Sequence, residues 1–180
     1  MKNYLSFLVV LLLLFSCQSN NKIIKKYLKD EISNDTLKNN VIIKQQITFS
    51  ETLRTFQGMK VSFNSDELKT YNDLKTKYKN DKEEIWTYKK FNLSNIIIID
   101  EDSINNYIQA RRNKLQNKFF ADKFNMYFIS KPYFYNNNKN VLFRIKKTRV
   151  FNNRIFDEVV VMERKNGKWI VFEKKANSDL

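Results

Sequence analysis

The chain has 180 residues, 42% hydrophobic and 14% aromatic, enough for one domain with a core rich in Phe and Tyr. It carries 33 basic against 19 acidic residues, a formal charge of +14, with no histidine, two glycines, one proline and one cysteine. Those counts exclude a Ser-His-Asp triad, a His-bearing metal site, a Gly-rich phosphate loop and an internal disulfide. Lysine supplies most of the positive charge, whereas readers of nucleic acid favour the arginine fork, so no nucleic acid is expected as a partner. A composition heavy in Lys, Asn, Ile, Phe and Tyr accounts for the charge as well as an anionic partner does.

The first element is a leader. Lys2 is followed by Leu5 to Phe15, where only Ser6 is not apolar. A helix needs about 20 apolar residues to cross a bilayer, and a signal-peptide core needs roughly 7–15, so the run fits the second. Ordinary cleavage wants small residues at −3 and −1, but a cut after Ser16 puts Leu14 at −3. The stretch Leu14-Phe15-Ser16-Cys17 resembles the lipobox of bacterial lipoproteins through Leu14, Ser16 and Cys17. The resemblance implies cleavage between Ser16 and Cys17, a diacylglyceryl group on the Cys17 thiol and a palmitate-type acyl chain on the new amine. Two or more chains give a firm anchor, because each buried methylene contributes about 0.8 kcal/mol. It also removes the one thiol from the candidates for catalysis. Gln18, Ser19, Asn20, Asn21 and Lys22 contain neither the Asp that retains such proteins at the inner membrane nor the acidic cluster that exports some to the surface. The expected location is therefore the outer membrane, facing the periplasm. Residues 1–16 are assigned to the signal peptide, 17–35 to a lipid-anchored tether with a short helix, and 36–180 to a single domain.

Between Asn20 and Glu31, the spacing of Ile24, Tyr27 and Leu28 predicts an amphipathic helix with Lys25, Lys26 and Lys29 outward. Its simplest role is to pack on the domain or to tether it; its basic face also suits anionic lipid. Residues 41–49 (VIIKQQITF) and 60–63 (KVSF) read as short strands. Asn64-Ser65-Asp66-Glu67 marks a helix start, with Asn64 or Ser65 capping and Leu68, Tyr71, Leu74 and Tyr78 on one face. IWTYKKF (85–91) alternates as a strand does, and NIIII (95–99) reads as a buried strand. Asp100, Glu101 and Asp102 lack the alternation and the glycine of a calcium loop, so no metal is expected there. Asp102 or Ser103 instead caps a helix over about 103–121, with Ile104, Tyr107, Ile108, Arg111, Leu115 and Phe119 on one face.

The period then changes to two. Residues 126–133, 140–150, 154–165 and 168–175 read as a four-strand antiparallel meander, with Asn166-Gly167 as the last turn. Pro132 belongs at a strand end or on an edge. Val141, Phe143 and Ile145 face one way; Arg144, Lys146 and Thr148 face the other. Apolar residues on both faces of the last strand predict cover on both sides. Helices first and strands after predict an α+β domain, N-terminal helices on one face of a C-terminal antiparallel meander, in the manner of cystatin-like or NTF2-like cones. ISKPYFYNNNKNVLF (129–143) with ERKNGKWIVFEKK (163–175) resembles the C-terminal end of small flavobacterial lipoproteins of unassigned activity, which implies class and compartment.

The expected function is a lipid-anchored, non-catalytic binding or structural module of the cell envelope, with no cofactor. Its partners would be the membrane, through Cys17, and a protein or an anionic ligand. An alternative is a module for acidic glycan or lipid that uses Arg144, Lys146 and Arg154. An enzyme would need carboxylates such as Asp157, Glu158 or Glu163, but adjacent strand residues point to opposite faces. A cavity lined by Trp86, Trp169 and tyrosines would signal a small ligand.

Overall fold

The computed structural model describes residues 20–33, 40–58, 63–82, 84–91, 93, 96–114, 124–150 and 154–176. Among them the chain is an α+β domain. Its elements are α1 (Asn20–Ser33), β1 (Asn40–Ile43), α2 (Phe49–Gly58), α3 (Ser65–Lys77), α4 (Tyr88–Phe91), β2 (Ile96–Ile99), α5 (Ile104–Lys114), β3 (Asn125–Ile129), β4 (Tyr133–Tyr135), β5 (Asn140–Arg149), β6 (Arg154–Lys165) and β7 (Lys168–Ala176). The strands form one seven-stranded sheet in the order β2-β1-β3-β5-β6-β7, with β4 pairing β5 beside β3.

The antiparallel meander is present, and its turns show why. Asn136, Asn137, Asn138 and Asn166 all have positive φ, as does Gly167. Asparagine tolerates this left-handed region better than other side chains, so the YNNNKN and Asn-Gly turns are written into the residue types. The first predicted strand is split in two. Ser130 and Pro132 interrupt it, and the Ser130 hydroxyl accepts the Arg144 N–H at 2.9 Å in place of a backbone carbonyl. Pro132 lies between the halves, where no ladder donor is needed.

Two parallel strands, β1 and β2, extend the meander at one end, with Val41 beside Ile97 on one side and Met126 on the other. The helices cover both faces of this sheet rather than one. The physical reason lies in β5, where alternation buries two sets of side chains. Val141, Phe143 and Ile145 join Ile23, Ile24, Tyr27 and Leu28 of α1 in one cluster. Leu142 joins Phe49, Leu53 and Phe56 of α2 and Leu74 of α3 on the opposite face. α5 packs Ile104, Tyr107 and Ile108 over Val41, Ile43 and Met126 on that same opposite face.

Several local expectations change. The strand expected over 41–49 ends at Ile43; residues 44–48 make only isolated bridges, Gln45 to Ile85 and Ile47 to Ser130, and α2 begins at Phe49. That helix starts with a reciprocal cap: Thr48 Oγ1 accepts the Glu51 N–H at 3.2 Å, and Glu51 accepts the Thr48 N–H at 3.0 Å. Residues 85–91 are an isolated bridge at Ile85 followed by the single turn of α4: alternation holds through exposed Ile85, buried Trp86 and exposed Thr87, and stops at Tyr88, which is also exposed and opens the helix. β2 is half exposed, with Ile97 39% accessible, because it is an edge strand. The α3 cap is the expected Asn64, in a full capping box with Glu67. The helix expected from 103 begins instead with a 3-10 turn, Glu101–Ser103, and Asp100 before it makes no side-chain cap bond. That helix is described to Lys114; residues 115–121 and 60–62 lie outside the described part.

Candidate functional site

Cys17 and Ser16, the lipidation and cleavage positions, lie outside the described residues. α1 begins three residues after Cys17 and is built into the main cluster, where Ile24 and Leu28 have no accessible surface.

Arg144 and Lys146 do share a face of the sheet, but that face is not a free basic patch. The Arg144 guanidinium donates twice to Asp157, from Nε to Oδ1 at 2.8 Å and from Nη2 to Oδ2 at 2.6 Å. Asp157 is 5% accessible, so the fork–fork pair sits in the wall of the core. Lys146 stands opposite Asp157 in the ladder, with its ammonium 5.8 Å from the Phe128 ring. Glu51, in the first turn of α2, bonds to Thr48 and is influenced by the Arg144 charge. Burial disfavours its charge, but the N–H and hydroxyl of Thr48, with Arg144 and Arg54, outweigh this and hold its carboxyl below the usual range. Arg154 opens β6 opposite Arg149, away from this pair, and its side chain lies outside the described part.

The acids divide as alternation requires. Asp157 turns to Arg144, and Glu158 turns to the α1 face, where it accepts the Tyr27 hydroxyl at 3.4 Å. That contact sits in a recess of about 180 Å³ between α1 and the sheet, lined by Tyr27, Glu31, Tyr127, Lys147, Phe156 and Glu158. Burial pushes the Tyr27 phenol well above its usual range, and the Glu31 and Glu158 carboxylates push it further. Tyr27 is therefore a fixed donor and cannot act as a base near neutral pH. Lys147 lines the recess, and Lys174 reaches two of its lining residues from outside. Lys174 bonds Glu31 at 2.5 Å and lies 4.8 Å from the Tyr27 ring.

A second recess, of about 190 Å³, lies at the start of α2 and includes Thr48, Tyr78, Asp81, Lys82 and Tyr133. Burial, followed by the Asp81 carboxylate, raises the Tyr133 phenol. Both recesses are smaller than the roughly 300–1,000 Å³ of sites for drug-sized ligands. Neither Trp lines them. Trp86 is buried and donates its Nε1–H to the Ile129 carbonyl at 3.0 Å, and Trp169 packs edge-on against Phe134. No group of three or more His, Cys, Asp or Glu able to hold a metal ion occurs among the described residues.

The surface feature that stands out is β7. It is not covered on both sides as expected. Ile170 and Val171 are each 42% accessible and Phe172 is 65% accessible. The cause is position: β7 ends the strand order, and among the described residues no strand pairs its outer edge. The register shifts between Val161 and Met162, which pair Glu173 and Val171, so Phe172 is the extra residue of a bulge. Alternation marked these residues as apolar, but only the strand order shows that they are open.

No protein family, no curated protein and no solved structure matches the chain. The likeness to cystatin-like or NTF2-like cones thus stays at α+β layering. No helix among the described residues is long and apolar enough to cross a membrane.

Proposed function

We propose that the protein is a lipid-anchored, non-catalytic binding module of the cell envelope. Cys17 holds it at the periplasmic side of the outer membrane, and it takes up an extended, acidic segment of a partner protein along β7. The anchor rests on the Leu14-Phe15-Ser16-Cys17 stretch. The observation that carries the binding role is the β7 edge, nine residues long with three adjacent large apolar side chains in contact with solvent. An exposed edge offers main-chain hydrogen bonds, and side chains along it set specificity. Charge selects the occupant. Arg164, Lys165 and Lys168 surround the hairpin tip and are exposed. An acidic strand is attracted there, whereas a second copy, which keeps a formal charge of +13 once Lys2 leaves with residues 1–16, is repelled.

The anchor is tested by feeding cells a palmitate analogue. The natural chain should be labelled and Cys17→Ser should not; equal labelling ends the anchor reading. For the edge, a photo-crosslinking side chain replaces Phe172, or Gln109 on the exposed surface of α5, in growing cells. A discrete adduct at 172, absent at 109 and lost on adding Ile170→Lys, is expected. No adduct at 172, or the same adduct at both sites, removes β7 as the binding edge.

A further inference from the structure

Lipid-anchored domains commonly hang from a flexible tether, but here the distance from anchor to fold is too short for one. Three peptide steps separate Cys17 from Asn20, the first residue of α1, a reach of at most about 11 Å. α1 cannot swing free of the domain, because Ile23, Ile24, Tyr27 and Leu28 are buried against the sheet, and its far end is held by the Glu31–Lys174 ion pair. The outward face of the same helix is basic. Lys22, Lys26 and Lys29 are exposed and Lys25 is half-buried. At 100° per residue these four fall on one stripe, opposite the buried one, and no acid occurs before Asp30.

We infer that α1 lies along the membrane with this lysine stripe against anionic phospholipid headgroups, so that the domain sits face-down on the bilayer. The inference rests on the lipid anchor at Cys17 and adds an orientation to it. The helix is about 21 Å long, and Lys22 to Lys29 spans about 10 Å of it. The whole stripe can therefore meet a flat surface at once. A lysine near an anionic leaflet contributes on the order of 1 kcal/mol, a factor of about five, so Lys22, Lys26 and Lys29 together supply about a hundredfold preference for the docked orientation.

The test uses the full chain as cells process it, reconstituted into vesicles that carry a quencher in the lipid phase. Once Cys17 is acylated, Lys26→Cys supplies the one free thiol for a fluorophore, and Gln109→Cys places the same probe on the opposite face of the sheet. In vesicles with about one third phosphatidylglycerol, quenching at 26 should exceed that at 109 several-fold. It should fall at least twofold in phosphatidylcholine vesicles, and also when Lys22→Glu and Lys29→Glu are added, to the residual excess over 109 that the short link to Cys17 alone produces; no fall in either case overturns the lysine stripe as the docking face. Equal quenching at 26 and 109 in anionic vesicles, on a chain whose N-terminal peptide carries the lipid mass, overturns the orientation and leaves the anchor intact. An N-terminal peptide without lipid overturns the anchor and the orientation with it.

Discussion

The two edges of the sheet are managed differently. β2, four residues long, is closed by a local device: the Ile98 N–H donates to the Tyr88 hydroxyl at 3.0 Å, so a ladder donor is already occupied. β7, nine residues long, has only a bulge at Phe172 and lysines near its ends, and keeps a row of apolar side chains in water. Short length, charge and bulges are the usual protections of an edge. The long strand carries the weaker protection, and its residues are the ones a partner strand would bury. The contrast separates an edge that is sealed from one that is left available.

The largest effect should come from the footing of the open edge. β7 hangs on β6, and β6 is held to β5 by the buried Arg144–Asp157 pair as well as by the ladder. Arg144→Ala leaves Asp157 buried without its partner and should cost about 3–5 kcal/mol. Combining Arg144→Leu with Asp157→Leu should recover most of that in urea unfolding, since the pair itself is worth little against apolar packing of similar size. If the single change is silent, the pair does not hold the two strands together.

The helix that covers this footing is sensitive to acid at its start. Burial disfavours the Glu51 charge, but the Thr48 N–H and hydroxyl outweigh it and the carboxyl ionises below its ordinary range. Its folded-state pKa is thus lower than its unfolded one. Its contribution is fully present above the unfolded value and is lost as pH falls through the folded value. Because Glu51 is only partly buried and acts as a helix cap, the amount is modest, about 0.5–1 kcal/mol. Glu51→Gln should lower stability at pH 7 by about that much and flatten the acid limb of the stability curve below the ordinary glutamate pKa of about 4.3. An unchanged acid limb would show that the carboxylate adds nothing beyond the neutral cap.

The legibility of these regions from sequence follows the range of the interactions. Residues 125–176 were readable because their signals are local: alternation within strands, asparagines that accept positive φ, and Asn166-Gly167 between β6 and β7. The β1–β2 pair was not, because Val41 meets Ile97 in a parallel ladder with no turn to announce it. α2 hid behind the β-branched run before it, although the Thr48 and Glu51 spacing of a capping box was present. Arg144 read as an available cation because its neutraliser, Asp157, is found only once the β5–β6 register is known. The apolar residues of β7 read as buried for a similar reason, since sequence gives hydrophobicity and strand order gives exposure.

Tyr88→Phe removes the acceptor that seals β2. Tyr88 is 59% accessible, so water can replace the lost bond, and the cost should be no more than about 0.5–1 kcal/mol. The clearer readout is amide exchange, where the Ile98 N–H should speed up while its neighbours in β1 do not. An unchanged Ile98 rate would mean that the two edges are equally open.

The smallest effect on the fold should come from the residue that defines the open edge. Phe172 is 65% accessible and sits in the bulge, with little packing to lose. Phe172→Lys should shift stability by no more than about 0.5 kcal/mol, and added charge on an edge should raise solubility. It should nevertheless abolish the crosslink to the partner segment when the photoreactive side chain is moved to Val171. A residue that matters to the fold would destabilise when changed, and one that is merely exposed would do nothing. Loss of the partner at constant stability is the outcome that only a binding edge produces.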